Sequence, residues 1–245
     1  MSSGKYTALS GALTRLKMMD SISDNLANNK TVGFKKSQVA FEARLANAMA
    51  ARNNGIVSLT ELREGFTDYG QGPLIRTDVP THVAIDGEGF FKVQDLEGKI
   101  YYTRQGNFHL DEAGFLTTSS GMKVLGDNRK PIVLPSPDVS IDEKGNILLK
   151  GGETIKLPVY TFDDESVVNR KGGGLFTVSK EDIRSFETPA ANPKIVQGQI
   201  EDSNVNMMQE MGKMIEAVRA FEACQKILKN YNTLDNKAIE IGRIG

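Results

Sequence analysis

The sequence predicts an α+β protein: terminal helices forming an α-helical, coiled-coil-like domain, with a mostly antiparallel β domain inserted between them. Two observations predict it. Near the N-terminus Leu9, Ala12, Leu16, Met19, Ser23 and Leu26 recur at alternating three- and four-residue steps, and near the C-terminus Met207, Met211, Met214, Val218, Phe221, Gln225 and Leu228 do the same. That spacing is a heptad seam. Between the two ends, from about Val83, the period drops to two, and glycine-containing turns separate short apolar runs. Neither seam can be buried by its own helix. Each needs a second helix, from this chain or from another copy, so the pattern points to assembly.

Taken in order, Thr7 or Ser10 is placed to cap a first helix that runs to about Ala27. Asn28-Asn29-Lys30-Thr31-Val32-Gly33-Phe34 breaks it, because asparagine and glycine tolerate left-handed backbone. Residues 1–35 therefore form the N-terminal helical part. Residues 36–80 read as an extended connecting region, within which Phe41, Leu45 and Met49 recur every fourth residue and suggest a polar helix over about 35–51.

The β domain is expected over 81–198. Phe90–Gln94 and Ile100–Thr103 flank the turn Asp95-Leu96-Glu97-Gly98-Lys99. Asn107–Leu110 and Phe115–Thr118 flank Asp111-Glu112-Ala113-Gly114, and Val139–Ile141 and Asn146–Leu149 flank Asp142-Glu143-Lys144-Gly145. Each turn begins with an aspartate able to bond its own backbone, and each contains a glycine for the positive φ. Further strands are expected at Leu157–Phe162 and Leu175–Val178. Pro189, Asn192, Pro193 and Gly198 mark the return, and Ser203 or Asn204 is placed to cap a long helix in 199–245, reaching to about Ile239.

Composition narrows the function classes. The 245 residues are 39% hydrophobic and 25% charged, with a formal net charge of -1. No basic field is present to attract nucleic acid. No run of about 18 apolar residues marks a membrane span, and no secretory signal is read at Met1–Lys5. Cys224 is the single cysteine, so an intramolecular disulfide is excluded; it reads as a small helix residue.

No catalytic constellation emerges. His82 and His109 lack acidic or cysteine partners at metal-ligand spacing and read as strand or surface histidines. Gly87-Glu88-Gly89 is followed by strand residues and not by a helix, which argues against a dinucleotide loop. Gly172-Gly173-Gly174 lacks the lysine of a phosphate loop, and Asp163-Asp164-Glu165 reads as a solvated turn. Neither a cofactor nor a metal is expected, and the chain is not expected to be an enzyme.

Four blocks carry a resemblance. Asp24-Asn25-Leu26-Ala27-Asn28 with Thr31-Val32-Gly33-Phe34-Lys35-Lys36 resembles the N-terminal signature of bacterial flagellar axial proteins, the rod, hook and hook-associated family. Val83–Phe91 is similar to the motif that opens their β domain, and Tyr102–Phe108 with Gly114-Phe115-Leu116 to the hairpin that follows. Gly198–Asn206 and Arg219-Ala220-Phe221-Glu222 resemble the C-terminal signature. The opening Tyr6–Ala12 most resembles the proximal-rod member; Asn29-Lys30 departs from the common pattern.

The resemblance implies a structural subunit of the basal-body rod. Its terminal helices would build the inner tube, its β domain the outer wall, and the assembly would transmit torque from motor to hook. The implied partners are other copies of itself, neighbouring rod proteins and the flagellar type III export apparatus, with no nucleic acid and no direct membrane insertion. The implied location is the rod crossing the periplasm, reached without a cleaved signal. The expected assembly interface comprises Leu9, Leu16, Met19, Asn25, Leu26, Asn28, Gly33, Phe34, Met207, Met211, Met214, Val218, Phe221 and Leu228. The alternatives are a distal-rod or hook-type protein of the same family and, outside it, a soluble enzyme with a helical dimerisation element.

Overall fold

A computed structural model describes residues 3–39, 41–46, 57–62, 65–149, 152–162, 167–178 and 187–244. It is α+β and divides into two compact units. A helical unit takes Met1–Ala27, Ser37–Asp68 and Asn206–Gly245; a β unit takes Asn28–Lys36 and Tyr69–Val205. The expected boundaries at 35, 80 and 198 therefore move. The loop after the first helix, residues 69–80 and the approach to the last helix all belong with the β unit.

The helical unit is built on α1 (Ser3–Ala27) and α2 (Met207–Ile244). At 1.5 Å per residue the 38 residues of α2 reach about 57 Å. Its cap is Asn206, whose Oδ1 accepts from the Gln209 amide at 3.2 Å. Ser203 and Asn204, the expected caps, serve the β unit instead. The helices run antiparallel: Lys5 pairs with Asp235, Gly11 lies beside Cys224, and Asn25 bonds Glu210 at 3.3 Å.

α1 also lies against strand Val57–Leu62, which pairs antiparallel with Phe41–Ala46 from Phe41 opposite Leu62 to Ala46 opposite Val57. Ser37–Gln38 pairs with Phe66–Thr67. The helix expected over 35–51 is thus replaced by strand in its described part; Met49 lies outside the described residues, as do Asp163, Asp164 and Glu165. The reason is the ambiguity of a four-residue step. Phe41 and Leu45 share one face of a helix and equally one face of a strand. Pairing with Val57–Leu62, which satisfies the backbone, decides between them.

In the β unit the largest sheet is antiparallel. Its order is Val168–Gly172, Leu175–Val178, Ile100–Thr103, Phe91–Gln94, Lys123–Val124, Leu116–Thr117, His109–Leu110. The three expected turns form alike. Asp95, Asp111 and Asp142 each accept two backbone amides on Oδ1, at 2.7–3.0 Å. Gly98, Gly114 and Gly145 close them at φ +83, +82 and +82. Bonds from Asn146 hold the Asp142 carboxyl below the usual range. The strand expected over 157–162 is confined to Tyr160–Phe162.

Alternation along Phe90–Val93 feeds two cores. Phe91 and Val93 join Val83, Ile85, Phe108, Val124 and Ile147, while Phe90 joins Tyr102, Tyr160 and Phe176. Lys92 is 1% exposed, pairs with Glu187 and lies 4.6 Å from the centre of the Tyr160 ring. The Tyr102 hydroxyl donates to the same carboxylate at 3.0 Å, and burial with that negative charge pushes its pKa far above the ordinary value. A buried charge is tolerated because its partners are buried with it.

His82 is half-buried, with Nδ1 3.0 Å from Thr77 Oγ1. Burial lowers its pKa below 6.5. The unfolded chain takes up this proton below that value and the folded chain resists it. Stability should therefore fall as pH drops through about 6.5, and level off below the folded pKa. Urea midpoints at pH 7.5 and 5.5 should show a smaller difference in His82→Gln than in the parent; an equal difference would rule out the histidine as its source.

Candidate assembly surface

The surface in question begins with which face of each helix is already used. α1 turns Gly4, Ala8, Gly11, Ile22 and Asn25 towards α2 or beneath the unit's surface. A Cβ on Gly4 would stand 2.2 Å from the Tyr231 hydroxyl, so glycine lets the helices approach closely there. On α2 the matching line is Glu210, Ala217, Cys224 and Tyr231, spaced by seven. Glu210 and Ala217 are buried, and Cys224 and Tyr231 half-buried. The line on α1 lies one residue away from the expected Leu9–Leu26 stripe, a rotation of about 100°, although Ala12 of that stripe is also buried and Met19 and Leu26 half-buried.

The expected residues consequently separate into three groups. Leu9, Leu16, Met207 and Met211 are exposed, at 47%, 39%, 45% and 49%. Met19, Leu26, Met214, Val218, Phe221 and Leu228 are half-buried in the helical unit. Asn25, Gly33 and Phe34 are buried, and Asn28 is half-buried. Beyond the expected set, Tyr6, Leu13, Met208, Ile215, Ile227 and Leu234 are exposed. Tyr6, Leu9, Leu13 and Leu16 follow steps of three, four and three and so form one continuous outer line on α1. Leu9 and Leu16 of the expected stripe belong to that line, which the same three- and four-residue spacing marks in the sequence. Met208, Met211 and Ile215 make the corresponding line near the start of α2.

The signature loop has a different job from the one expected of Gly33 and Phe34. The Thr31 amide and hydroxyl both bond to Asn28, each at 3.1 Å, closing the turn. Gly33 has φ +66, and a Cβ there would lie 2.5 Å from the backbone carbon of Arg104. Its amide donates to the Glu201 carbonyl at 2.7 Å. Phe34 has no accessible surface and carries the Arg170 guanidinium 4.2 Å above its ring. A neighbouring subunit has no surface of Phe34 to touch; its anchor role is internal to the β unit.

Lys35 completes the arrangement. Its ammonium donates to Glu201 Oε1 at 2.5 Å and to the Gly70 carbonyl at 2.9 Å. The Gly72 amide donates to the same Glu201 oxygen at 2.9 Å, and Arg104 reaches Glu201 Oε2 at 3.3 Å. Burial pulls the Arg104 pKa below its ordinary value while Glu201 opposes the shift. Asn204 accepts from the Lys36 amide at 2.7 Å and donates to Gly70 at 2.9 Å. Three separate passages of chain are thereby tied to one buried carboxylate.

Two family models match parts of the chain. Residues 84–149, within the β unit, match the flagellar hook protein FlgE/F/G D1 domain. Residues 196–241, which include Glu201 and most of α2, match the flagellar basal body rod FlgEFG protein C-terminal family. The chain is 32% identical to the flagellar basal-body rod protein FlgG of Buchnera aphidicola subsp. Schizaphis graminum, over 92% of this chain and 93% of that one. The chain belongs to the flagellar basal-body rod protein family. Other members of the family match it end to end. Identity to FlgF of Rhizobium meliloti is 31%, over 98% of both chains. To FlgF of Caulobacter vibrioides it is 30%, over 100% of both. Among the described residues of this rod-family chain, no helix is long and apolar enough to cross a membrane.

Removing one member of a buried ion cluster leaves the others uncompensated, at a cost of about 3–5 kcal/mol. Glu201→Ala should lower the unfolding free energy of the full-length protein, measured by urea denaturation, by that amount. A loss below about 1 kcal/mol would indicate a solvated, surface-like cluster.

Proposed function

We propose that this chain is a structural subunit of the flagellar basal-body rod and that its outer helix faces join it to copies of itself and to neighbouring rod proteins. Its family is one of structural flagellar proteins, and it is not an enzyme. The observation that carries the reading is the exposed leucine and methionine line on each long helix, in a chain that matches rod proteins along its length.

Magnitudes favour a many-neighbour assembly. Completing the burial of half-exposed Leu9, Leu13, Leu16, Met211 and Ile215 contributes on the order of 1 kcal/mol each. Docking two bodies costs roughly 4–15 kcal/mol in lost freedom. One such contact therefore holds weakly. Several neighbours per subunit, as in a helical stack, turn the same faces into a stable tube. Torque would then be shared across coiled-coil-like seams, with no single strong bond carrying it.

The resemblance of Tyr6–Ala12 to the proximal-rod member extends the proposal to a proximal position in the rod. Export through the flagellar type III apparatus as an unfolded chain is compatible with the single cysteine, which leaves no intramolecular disulfide to break.

Leu13→Asp and Ile215→Asp test the reading. Each places a charge on an outer face. Purified variants should keep the parent's far-ultraviolet circular dichroism, and an unfolding free energy from urea denaturation within about 0.5 kcal/mol. Cells carrying them should lose motility, and electron micrographs of their basal bodies should show interrupted rods. Normal motility and intact rods in both variants would refute the proposed faces.

A further inference from the structure

Over residues 4–16 α1 carries two rival lines. The inner one begins Gly4, Ala8 and Gly11, with Ala12 and Thr14 also buried, and is poor in apolar bulk until Ile22. The outer one, Tyr6, Leu9, Leu13 and Leu16, is richer and stays exposed. Apolar burial alone favours the opposite choice, with the leucines turned against α2. Some other interaction selects the poorer line.

That interaction sits where α1 ends. The Asn25 carbonyl oxygen accepts from the Ser37 amide at 2.8 Å, and its amide nitrogen donates to the Ser37 carbonyl at 2.8 Å. The side chain thus pairs with Ser37 as a neighbouring strand would. The same nitrogen donates to Glu210 Oε2 at 3.3 Å. Glu210 is buried, and its other oxygen accepts from Lys213 at 2.6 Å. Ser21 adds a bond to the Ser37 carbonyl at 3.3 Å. Asn25 therefore joins the end of α1, the returning strand and the first turn of α2.

We infer that Asn25 and Glu210 are positioning residues that set the rotation and register of α1 on α2 and so keep the leucine line uncovered for other subunits. Turning α1 by one residue, about 100°, would withdraw the Asn25 amide from both partners. It would remove the Asn25 partner of one oxygen of a buried carboxylate and of two backbone groups of Ser37, which is the penalty that opposes the leucines. A buried polar side chain that specifies register against a greasier alternative is a known use of asparagine in helix pairs. The inference rests on the proposed assembly role of the outer line for its purpose, but its geometry is tested without assembly.

The close approach of Gly11 to Cys224 supplies the reporter. A Cβ on Gly11 would lie 3.4 Å from the Cys224 sulfur, a distance from which a disulfide closes with small adjustment. Purified full-length Gly11→Cys, oxidised with diamide, should form the 11–224 bridge in high yield. In Asn25→Leu/Glu210→Leu that yield should fall several-fold, and a bridge from Leu9→Cys or Ala12→Cys to Cys224 should rise. Glu210→Gln, which keeps an acceptor for Asn25, should retain the parental 11–224 yield.

Three outcomes overturn the inference. One is no bridge from Gly11→Cys in the otherwise unchanged protein; another is undiminished 11–224 bridging in the double leucine variant; the third is loss of bridging from all three positions in that variant, which means the clasp holds the helices without choosing their register. The assembly reading fails separately, if Leu13→Asp rods assemble normally while 11–224 bridging still depends on Asn25.

Discussion

Two helices in contact cannot enclose every apolar face they carry, and this constraint shapes the molecule. α1 presents a line of leucines on the side away from its inner seam, and α2 presents methionines and isoleucine at its start. Over its first half the inner seam is made of glycine, alanine and polar residues that allow close approach and bring little apolar burial, and Ile22 adds a buried apolar side chain further along. A pair of this kind is only modestly stable alone, since helix stability in proteins comes chiefly from packing an amphipathic face. The surface left over is the one on which the proposed assembly rests.

The β unit solves the opposite problem. It encloses its apolar residues fully, in two cores fed by the alternating side chains of the same strands. Its special feature is the way it secures the chain that passes in and out. Glu201 gathers Lys35, Arg104 and the amide of Gly72, while Phe34 is sealed beneath Arg170. The residues most recognisable as a family signature are thus occupied inside one subunit. In this chain Gly33 and Phe34 are enclosed where the polypeptide leaves its helix, and the less distinctive leucines and methionines stay exposed.

How far the sequence revealed this depends on whether a feature is local. The aspartate-to-glycine turns formed as expected because an aspartate bonding its own backbone and a glycine with positive φ need nothing from outside the turn. The ends of the chain were recognisably helical for the same reason. The face used was not. Leu9, Ala12 and Leu16 obey the heptad rule as well as Gly4, Ala8 and Gly11 do, and hydrophobicity favours the former. A carboxylate 185 positions away in the chain and a backbone group 12 away favour the latter. The strand over Phe41–Ala46 was likewise hidden, because a four-residue apolar step suits either backbone until a pairing partner is known.

From sequence alone come the α+β class, the heptad character of both ends, the turn chemistry and the resemblance to flagellar axial proteins. Each depends on residues close together in the chain, whose spacing acts directly on backbone geometry. The tertiary structure decided which helix face lies inside, which signature residues are buried, and that Asn28–Lys36 joins the β unit. Those outcomes turn on charges and amides distant in the chain that must find one another before burial, and local spacing carries no record of such meetings.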